Sequence, residues 1–253
     1  MKIIFYIFFA VMVLSVSCNA FASVIVNGYL DDWGVTPGAY GPDSQWEPYN
    51  GIYHIVEDQN TPQLVPGWGG QQYDAEALYA KKEGSTIYLA LVTGMRPSGY
   101  QWMPGDIYFD FGQGKSYGLK TTDTTVGNII YQKGTLYKNP LWNTSPYWGG
   151  STDPTDMVLG TGTEKGLSEF VYEHTYYDDT SPIDYTNDHY VIEAAIPASY
   201  FGDDWYTGGI VHWTQTCGND AIDLPIPRTP EPATALLFGL GALGYGVIRK
   251  RRG

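Results

Sequence analysis

Carboxylate side chains are grouped where they could bind a metal ion. Asp178, Asp179, Asp184 and Asp188 lie in one polar stretch of 11 residues, from 178 to 188. Calcium takes about six to eight oxygen ligands from flexible loops, so this stretch has suitable ligand types, although it lacks EF-hand spacing. A solvated loop without an ion explains the same composition, and both interpretations stay open.

A second acidic group is the pair Asp31 and Asp32, which directly precedes Trp33. Adjacent residues on a strand point to opposite faces, so the pair cannot easily flank one scissile bond. At a turn, one carboxylate could bind calcium while the other caps backbone N–H groups. We therefore predict a turn, with Asp31 as a candidate calcium ligand and Trp33 as a buried core residue.

Aromatic residues in segments rich in Gly, Pro, Asn and Ser form another group with binding potential. Exposed rings stack on the C–H faces of sugars because both surfaces are flat and apolar. The best candidates for a carbohydrate-binding platform are Trp142, Tyr147 and Trp148. Similar segments contain Trp46, Trp68 and Trp102. The alternative is that such rings anchor long loops on the domain.

The remaining reactive residues form no recognisable catalytic motif. His54, His174 and His189 lack the H-x-x-x-H or H-E-x-x-H spacing of zinc sites. Cys217 is the one thiol expected in the mature chain, and a lone thiol at a strand end is more often a small buried hydrophobe than a nucleophile. We therefore predict that the protein is not an enzyme, with calcium as its one candidate cofactor.

The charge of the chain favours some partners and excludes others. The 253 residues include 14 Lys and Arg against 27 Asp and Glu, a formal charge of −13. Without the two sorting segments described below, nine basic and 26 acidic residues remain, or −17. Such a surface repels nucleic acid, which we exclude as a partner, and suits divalent cations or neutral ligands.

Strand-like segments fill the middle of the chain, where long helical periodicity is absent. Alternating or β-rich runs predict strands at residues 23–27, 52–57, 73–81, 86–93, 106–111, 116–120, 128–132, 168–177, 189–196, 209–216 and 221–224. Some ten strands separated by turns, without βαβ spacing, predict an all-β fold. We expect a jelly-roll-like antiparallel β-sandwich.

The first 22 residues have the pattern of a signal peptide. Lys2 supplies the basic region, residues 3–16 the apolar region, and Ala20-Phe21-Ala22 an A-x-A cleavage site. Ala20 and Ala22 are the small residues that signal peptidase would recognise. We therefore expect export and a mature protein that begins at Ser23.

The last 24 residues combine Pro230-Glu231-Pro232, an uncharged run over 233–248, and Arg249-Lys250-Arg251-Arg252. A helix over the run would reach about 24 Å, and snorkelling bases would help it cross a bilayer core of about 30 Å. This order resembles the PEP-CTERM sorting signal of bacterial surface proteins. The resemblance implies processing by an exosortase and a transmembrane helix at 233–248. It also implies an inner-membrane intermediate, followed by secretion or matrix association at the envelope of a Gram-negative-type bacterium.

Landmarks in the middle of the chain resemble a second family. In order they are the motif N-G-Y-L-D-D-W from Asn27 to Trp33, the run 87–91, the motif P-G-D-I-Y-F-D from 104 to 110, and Glu193-Ala194-Ala195-Ile196-Pro197. This order resembles the family 9 carbohydrate-binding module and related DOMON-like sandwiches, although residues 121–163 carry no landmark. The resemblance implies a sandwich that binds sugar.

These patterns divide the chain into a signal peptide at 1–22, a β-sandwich at 23–224, a linker at 225–229 and a sorting signal at 230–253. The function that we expect is non-catalytic binding of polysaccharide in the extracellular matrix. A structural surface protein without a specific ligand, and a glycoside-acting enzyme, are the alternatives.

Overall fold

A computed structural model describes residues 23–35, 46–56, 71–144, 153–175 and 189–229. These residues form fifteen strands: β1 Tyr53–Val56, β2 Ala75–Glu83, β3 Thr86–Thr93, β4 Ile107–Asp110, β5 Ser116–Leu119, β6 Thr124–Val126, β7 Ile129–Tyr131, β8 Thr135–Lys138, β9 Trp142–Thr144, β10 Pro154–Met157, β11 Thr163–Leu167, β12 Glu169–Thr175, β13 His189–Pro197, β14 Gly209–Thr214 and β15 Ala221–Ile226. The helices among them are short 3₁₀ turns at Asp31–Trp33, Gln71–Tyr73, Ala198–Tyr200 and Asp204–Thr207. The predicted all-β class is confirmed.

Two antiparallel sheets make up most of the domain. A five-stranded sheet has the order β1-β2-β3-β13-β12, and a six-stranded sheet has the order β11-β8-β5-β4-β14-β15. Two further pairs, β6–β7 and β9–β10, are separate hairpins. Sequence neighbours such as β2 and β3 pair directly, while β13 returns late in the chain to pair with β3.

The inner faces of the two sheets form one apolar core. Alternate residues point inward, as strand geometry requires. Ile107 and Phe109 of β4 and Val211 of β14 meet Leu89 and Leu91 of β3 in the same cluster. The alternation of apolar and polar residues in β4 and β15 therefore follows from one face being buried and the other being exposed.

The five-stranded sheet is buried on its outer face as well. Residues 23–35 and Trp46 cover this face, where they pack against Ala77, Ala90 and Val92 in a second cluster. Burial on both faces explains why β2 and β3 read as nearly continuous apolar runs.

The first predicted strand, 23–27, is wrong as a ladder strand, because these residues belong to no strand. The backbone N–H groups of Ile25 and Asn27 donate to side-chain carboxylates of Asp32 and Glu193 instead of to a neighbouring strand. Burial still alternates along the segment. The period-two pattern therefore came from packing on a sheet rather than from pairing within one.

Strands β6, β8, β9, β10 and β11 were not predicted; the first four lie in the stretch 121–163 that carries no landmark, and β11 begins at its last residue. At the other end of the domain, β15 continues to Ile226, two residues into the predicted linker. Among the described residues, no helix is long and apolar enough to cross a membrane. The signal peptide 1–22 and the span 233–248 lie outside the described residues.

Candidate functional site

A row of side chains crosses the outer face of the six-stranded sheet. Opposite residues of an antiparallel pair share a face, so the strand register identifies the row directly. From β15 to β11 it aligns Asp223, His212, Tyr108, Gly118, Tyr137 and Glu164. We call this set the outer row. It places two phenol rings between carboxylates on a face that the core does not use.

Trp142 lies over the glycine of the outer row. A Cβ atom at Gly118 would come within 2.8 Å of Cζ2 of Trp142 and 2.2 Å of Sδ of Met157. The glycine therefore gives the indole room to lie close to the sheet. Trp142 also meets Tyr108 edge-on, with ring centroids 4.9 Å apart. Its Nε1–H is buried and has no hydrogen-bond acceptor among the residues that the structure describes.

Polar contacts fix the end of the row that includes β14 and β15. His212 is buried, with Nδ1 2.8 Å from Oδ1 of Asp223 and Nε2 3.2 Å from the carbonyl oxygen of Pro154. The Asp223 side chain is 62% exposed, so it stays open to a ligand. Burial, together with the nearby charge of Asp110, raises the pKa of the Tyr108 hydroxyl. The phenol is therefore neutral and can donate or accept a hydrogen bond.

The predicted platform residues are only partly within the described chain. Trp142 is half-buried in β9 and forms part of the surface just described, whereas Tyr147 and Trp148 lie outside the described residues, as does Trp68. Trp102 is half-buried. Trp46 is 1% exposed and belongs to the second core cluster, so it cannot stack on a sugar.

Tyr108 and Tyr137 were missed by the sequence reasoning. The alternation in Asp106-Ile107-Tyr108-Phe109-Asp110 could have placed Tyr108 on the face opposite the core. Nothing comparable pointed to Tyr137, because its strand, β8, was not predicted.

The two strongest sequence landmarks touch each other. Glu193 of β13 is fully buried and accepts hydrogen bonds from Trp33 Nε1 at 2.7 Å, Gly28 N at 2.6 Å and Asn27 N at 2.9 Å. Burial raises the pKa of Glu193 to about 7, although the three donors favour the carboxylate. This glutamate therefore attaches the N-terminal segment to the sheet and is not accessible to a ligand.

Asp31 and Asp32 lie in a 3₁₀ turn, as the turn interpretation predicted. Asp32 caps a backbone donor by accepting from Ile25 N at 2.5 Å, while Asp31 is exposed. Trp33 is fully buried, which confirms its predicted core role. The other calcium candidates, Asp178, Asp179, Asp184 and Asp188, lie outside the described residues.

A buried acidic cluster at one end of the sandwich was not foreseen. Asp74 and Asp220 share a side-chain hydrogen bond, and burial raises the pKa of both groups. A β-bulge places Glu76 where Oε1 lies 3.1 Å from Nε2 of His189. Asp220 also accepts from Ala75 N, which favours its ionised form and leaves the shared proton on Asp74.

The hydrogen bonds of Asp74, Glu76 and Asp220 account for this buried acidic cluster without a metal ion. In the described part of the chain, no group of three or more His, Cys, Asp or Glu residues could hold one. Cys217 is buried as predicted, and burial raises the pKa of its thiol, which opposes nucleophilic chemistry.

Comparison with known families identifies the tail of the chain. Residues 228–252 match the PEP-CTERM protein-sorting motif, which includes Pro230-Glu231-Pro232 and the basic residues Arg249 to Arg252. No curated protein and no solved structure matched the chain. The resemblance to the family 9 module or to DOMON domains is therefore unsupported. The motif indicates a bacterial protein that is exported, sorted by an exosortase, and secreted or held at the cell surface or envelope.

Proposed function

We propose that this exported protein binds a neutral polysaccharide, without turnover, through the outer face of its six-stranded sheet. The observation that carries the proposal is the outer row together with Trp142. Three aromatic side chains, Tyr108, Trp142 and Tyr137, lie next to one another across one face. Sugar C–H faces stack on such rings because both are apolar and flat.

Hydrogen-bonding groups at both ends of the row would fix the orientation of a bound sugar. Asp223 lies at one end and Glu164 at the other, and both are exposed. Carboxylates accept hydrogen bonds from sugar hydroxyls at little cost when they stay partly solvated. A neutral sugar also avoids repulsion from the acidic domain, so we expect its binding to change little with salt.

The proposal is for binding rather than hydrolysis. Glycosidases use two carboxylates about 5–9.5 Å apart on either side of a bound sugar. Asp74 and Asp220 form a close acidic pair, but they are only 6% and 5% exposed. A sugar chain cannot reach this pair, so it is no candidate for glycoside hydrolysis.

The test is retention of the exported protein on native gels that contain one polysaccharide each. The double variant Tyr108→Ala/Tyr137→Ala should lose at least about tenfold in affinity, or ~1.4 kcal/mol, with an unchanged circular dichroism spectrum. Tyr29→Ala is the matched control, because Tyr29 is 45% exposed and lies on the N-terminal segment. The single variants Trp142→Ala and Trp148→Ala test the carbohydrate-binding platform that the sequence predicted.

The outcomes separate the candidate functions. Retention that is lost in the Tyr108/Tyr137 variant and kept in Tyr29→Ala supports the outer row. Equal retention of this variant and the parent refutes that assignment. If no polysaccharide retains the parent, a structural surface protein without a specific ligand becomes the better description.

We also propose that the sorting tail is removed after export through signal peptidase and an inner-membrane, exosortase-bound intermediate. The tail's short apolar run and basic end support this proposal. Intact-mass measurement of the protein from its host should show a chain that begins at Ser23 and lacks the basic end. A recovered chain that still ends at Gly253, in cells with active exosortase, would refute it.

A further inference from the structure

The buried imidazole of His212 lies between two oxygen atoms that accept hydrogen bonds and cannot donate them. Nδ1 is 2.8 Å from Oδ1 of the Asp223 carboxylate in β15, and Nε2 is 3.2 Å from the carbonyl oxygen of Pro154 in β10. A neutral imidazole carries a proton on one nitrogen, whereas the imidazolium carries protons on both. Both contacts are therefore hydrogen bonds only when His212 is doubly protonated.

The contact with Pro154 attaches a separate hairpin to the six-stranded sheet. Strands β9 and β10 form a two-stranded sheet of their own, and this hairpin lies over the outer face of the larger sheet. Beside Pro154, the backbone N–H of Asp106 donates to the carbonyl oxygen of Thr155 at 2.9 Å. Oδ2 of Asp106 accepts from Met157 N at 3.0 Å. Asp106 and His212 therefore provide two neighbouring polar attachments for the hairpin.

Loss of one proton from His212 would affect its two contacts differently. The remaining proton stays on Nδ1, because a hydrogen bond to the charged carboxylate of Asp223 is stronger than one to a carbonyl group. The bare lone pair of Nε2 would then face the carbonyl oxygen of Pro154, and two acceptors repel each other. Since His212 is 4% exposed, water does not readily enter between them. Deprotonation therefore breaks the contact with the hairpin and keeps the contact with β15.

We propose that His212 is a pH-sensitive switch for the attachment of the β9–β10 hairpin. The doubly protonated imidazole holds the Pro154 end of the hairpin against the six-stranded sheet, and the neutral imidazole releases it. Histidine is the residue type that changes its charge near neutral pH. The movement would be local, since Asp106 still holds Thr155 and Met157. The switch concerns the hairpin itself and does not depend on whether a sugar binds the outer row.

Titratable groups on the three strands around the imidazole leave the Pro154 carbonyl as its contact with the hairpin. On β15, the Asp223 side chain is 62% exposed, so solvent screens its charge when the imidazole becomes neutral. On β4, the neutral phenol of Tyr108 meets the imidazole edge-on, with ring centroids 6.4 Å apart, and its hydroxyl interacts with Asp110. On β10, the Asp156 carboxylate contacts Asn143 Nδ2 at 2.8 Å. A change in the charge of the imidazole therefore reaches the hairpin through a single carbonyl oxygen.

Nitrogen-15 NMR of the exported protein, between about pH 4.5 and 8.5, tests the switch. Both ring nitrogens of His212 should be protonated at the acidic end, and Nε2 alone should lose its proton as the pH rises. The amide of Thr155 shares a peptide group with the Pro154 carbonyl, so its resonance should shift with the same midpoint. Protection of Asp106 N from hydrogen exchange, corrected for intrinsic pH dependence, should fall at least about tenfold across the transition, because opening no longer breaks the bond to His212.

Two substitutions separate the switch from a general effect of pH. His212→Leu removes the titrating group, so Asp106 N should show the reduced protection at every pH. His54→Leu is the matched control, because His54 lies on β1 of the other sheet, and this variant should behave like the parent. Unchanged circular dichroism spectra would show that all three proteins are folded. The proposal is overturned if the protonation of Nε2 does not change over the range, if Thr155 does not follow the imidazole, or if the protection of Asp106 N changes with pH equally in the parent and in His212→Leu.

Discussion

Replacing Glu193 with Gln should change both the stability of the domain and its dependence on pH. Glu193 accepts three buried hydrogen bonds, two at Oε2 and one from the Trp33 indole at Oε1. A glutamine has one acceptor oxygen, so its amide nitrogen must face at least one buried N–H donor. An unpaired buried donor costs about 1–3 kcal/mol.

The pH dependence has a defined sign. The pKa of Glu193 rises from 4.5 to about 7 on folding, chiefly because of burial. Between these values the folded protein holds a proton that the unfolded chain has lost. The stabilisation is complete below pH 4.5 and is lost as the pH rises through 7, by roughly 3 kcal/mol at ~1.36 kcal/mol per pKa unit.

The two effects predict that the stability curves of the parent and the Gln variant cross between pH 4.5 and 7.5. At pH 4.5 the Gln variant should be less stable than the parent by about 1–3 kcal/mol, since the protonated carboxyl keeps two acceptor oxygens and the amide has one. Near pH 7.5 the parent has lost the stabilisation that protonated Glu193 provides, whereas the stability of the variant is unaffected because Gln does not titrate. The variant should then equal or exceed the parent in stability.

Urea unfolding followed by far-ultraviolet circular dichroism, at intervals from pH 4.5 to 8, measures the difference. The Trp33 indole N–H resonance offers a local check, and it should titrate with a midpoint near 7. Glu173→Gln is the control, because Glu173 is exposed on the same sheet and the same Glu-to-Gln change there removes no buried acceptor. A parent-to-variant difference that grows from pH 4.5 to 7.5 would show that the donors keep Glu193 ionised and that burial does not dominate.

Three further outcomes are expected. Asp106→Asn should destabilise the domain by about 3–5 kcal/mol in urea unfolding, because it leaves the buried charge of Lys120 unpaired. Asp74→Asn should cost less than about 1 kcal/mol at neutral pH, because Asp74 already holds a proton. Gly118→Ala should lower the melting temperature measured by calorimetry, since its Cβ would displace the overlying indole. If calcium binds Asp31 and the acidic stretch 178–188, millimolar calcium should raise the melting temperature above that in chelator, and identical curves would contradict calcium binding.

The sequence predicted those parts of the fold whose local patterns agree with their tertiary environment. The runs at 86–93 and 189–196 are long and apolar, and they became the central strands β3 and β13. The stretch 121–163 holds strands of three or four residues, too short for a period-two pattern to stand out. Residues 23–27 show the converse, where packing on a sheet imitates the alternation of a strand.

The candidate site depends on pairing that local patterns do not contain. Tyr108 and Tyr137 are neighbours only because β4, β5 and β8 are adjacent, which is long-range information. Asp74 and Asp220 lie 146 positions apart in the chain and meet only through the docking of β15 near β2. Residues at a turn, such as Asp31 and Asp32, were placed correctly because a turn is local.

The acidic composition of the domain has a partly structural origin. Glu193 and Asp74 are buried, and their raised pKa values mean that the folded domain carries less negative charge near neutral pH than its formal count. Asp106 is buried as well, and its charge is balanced by Lys120 at 3.0 Å. These carboxylates join segments that are distant in sequence, so their presence does not require calcium. The acidic side chains available to a ligand are exposed ones such as Asp223, at the end of an aromatic row where a carboxylate can accept hydrogen bonds from a neutral sugar.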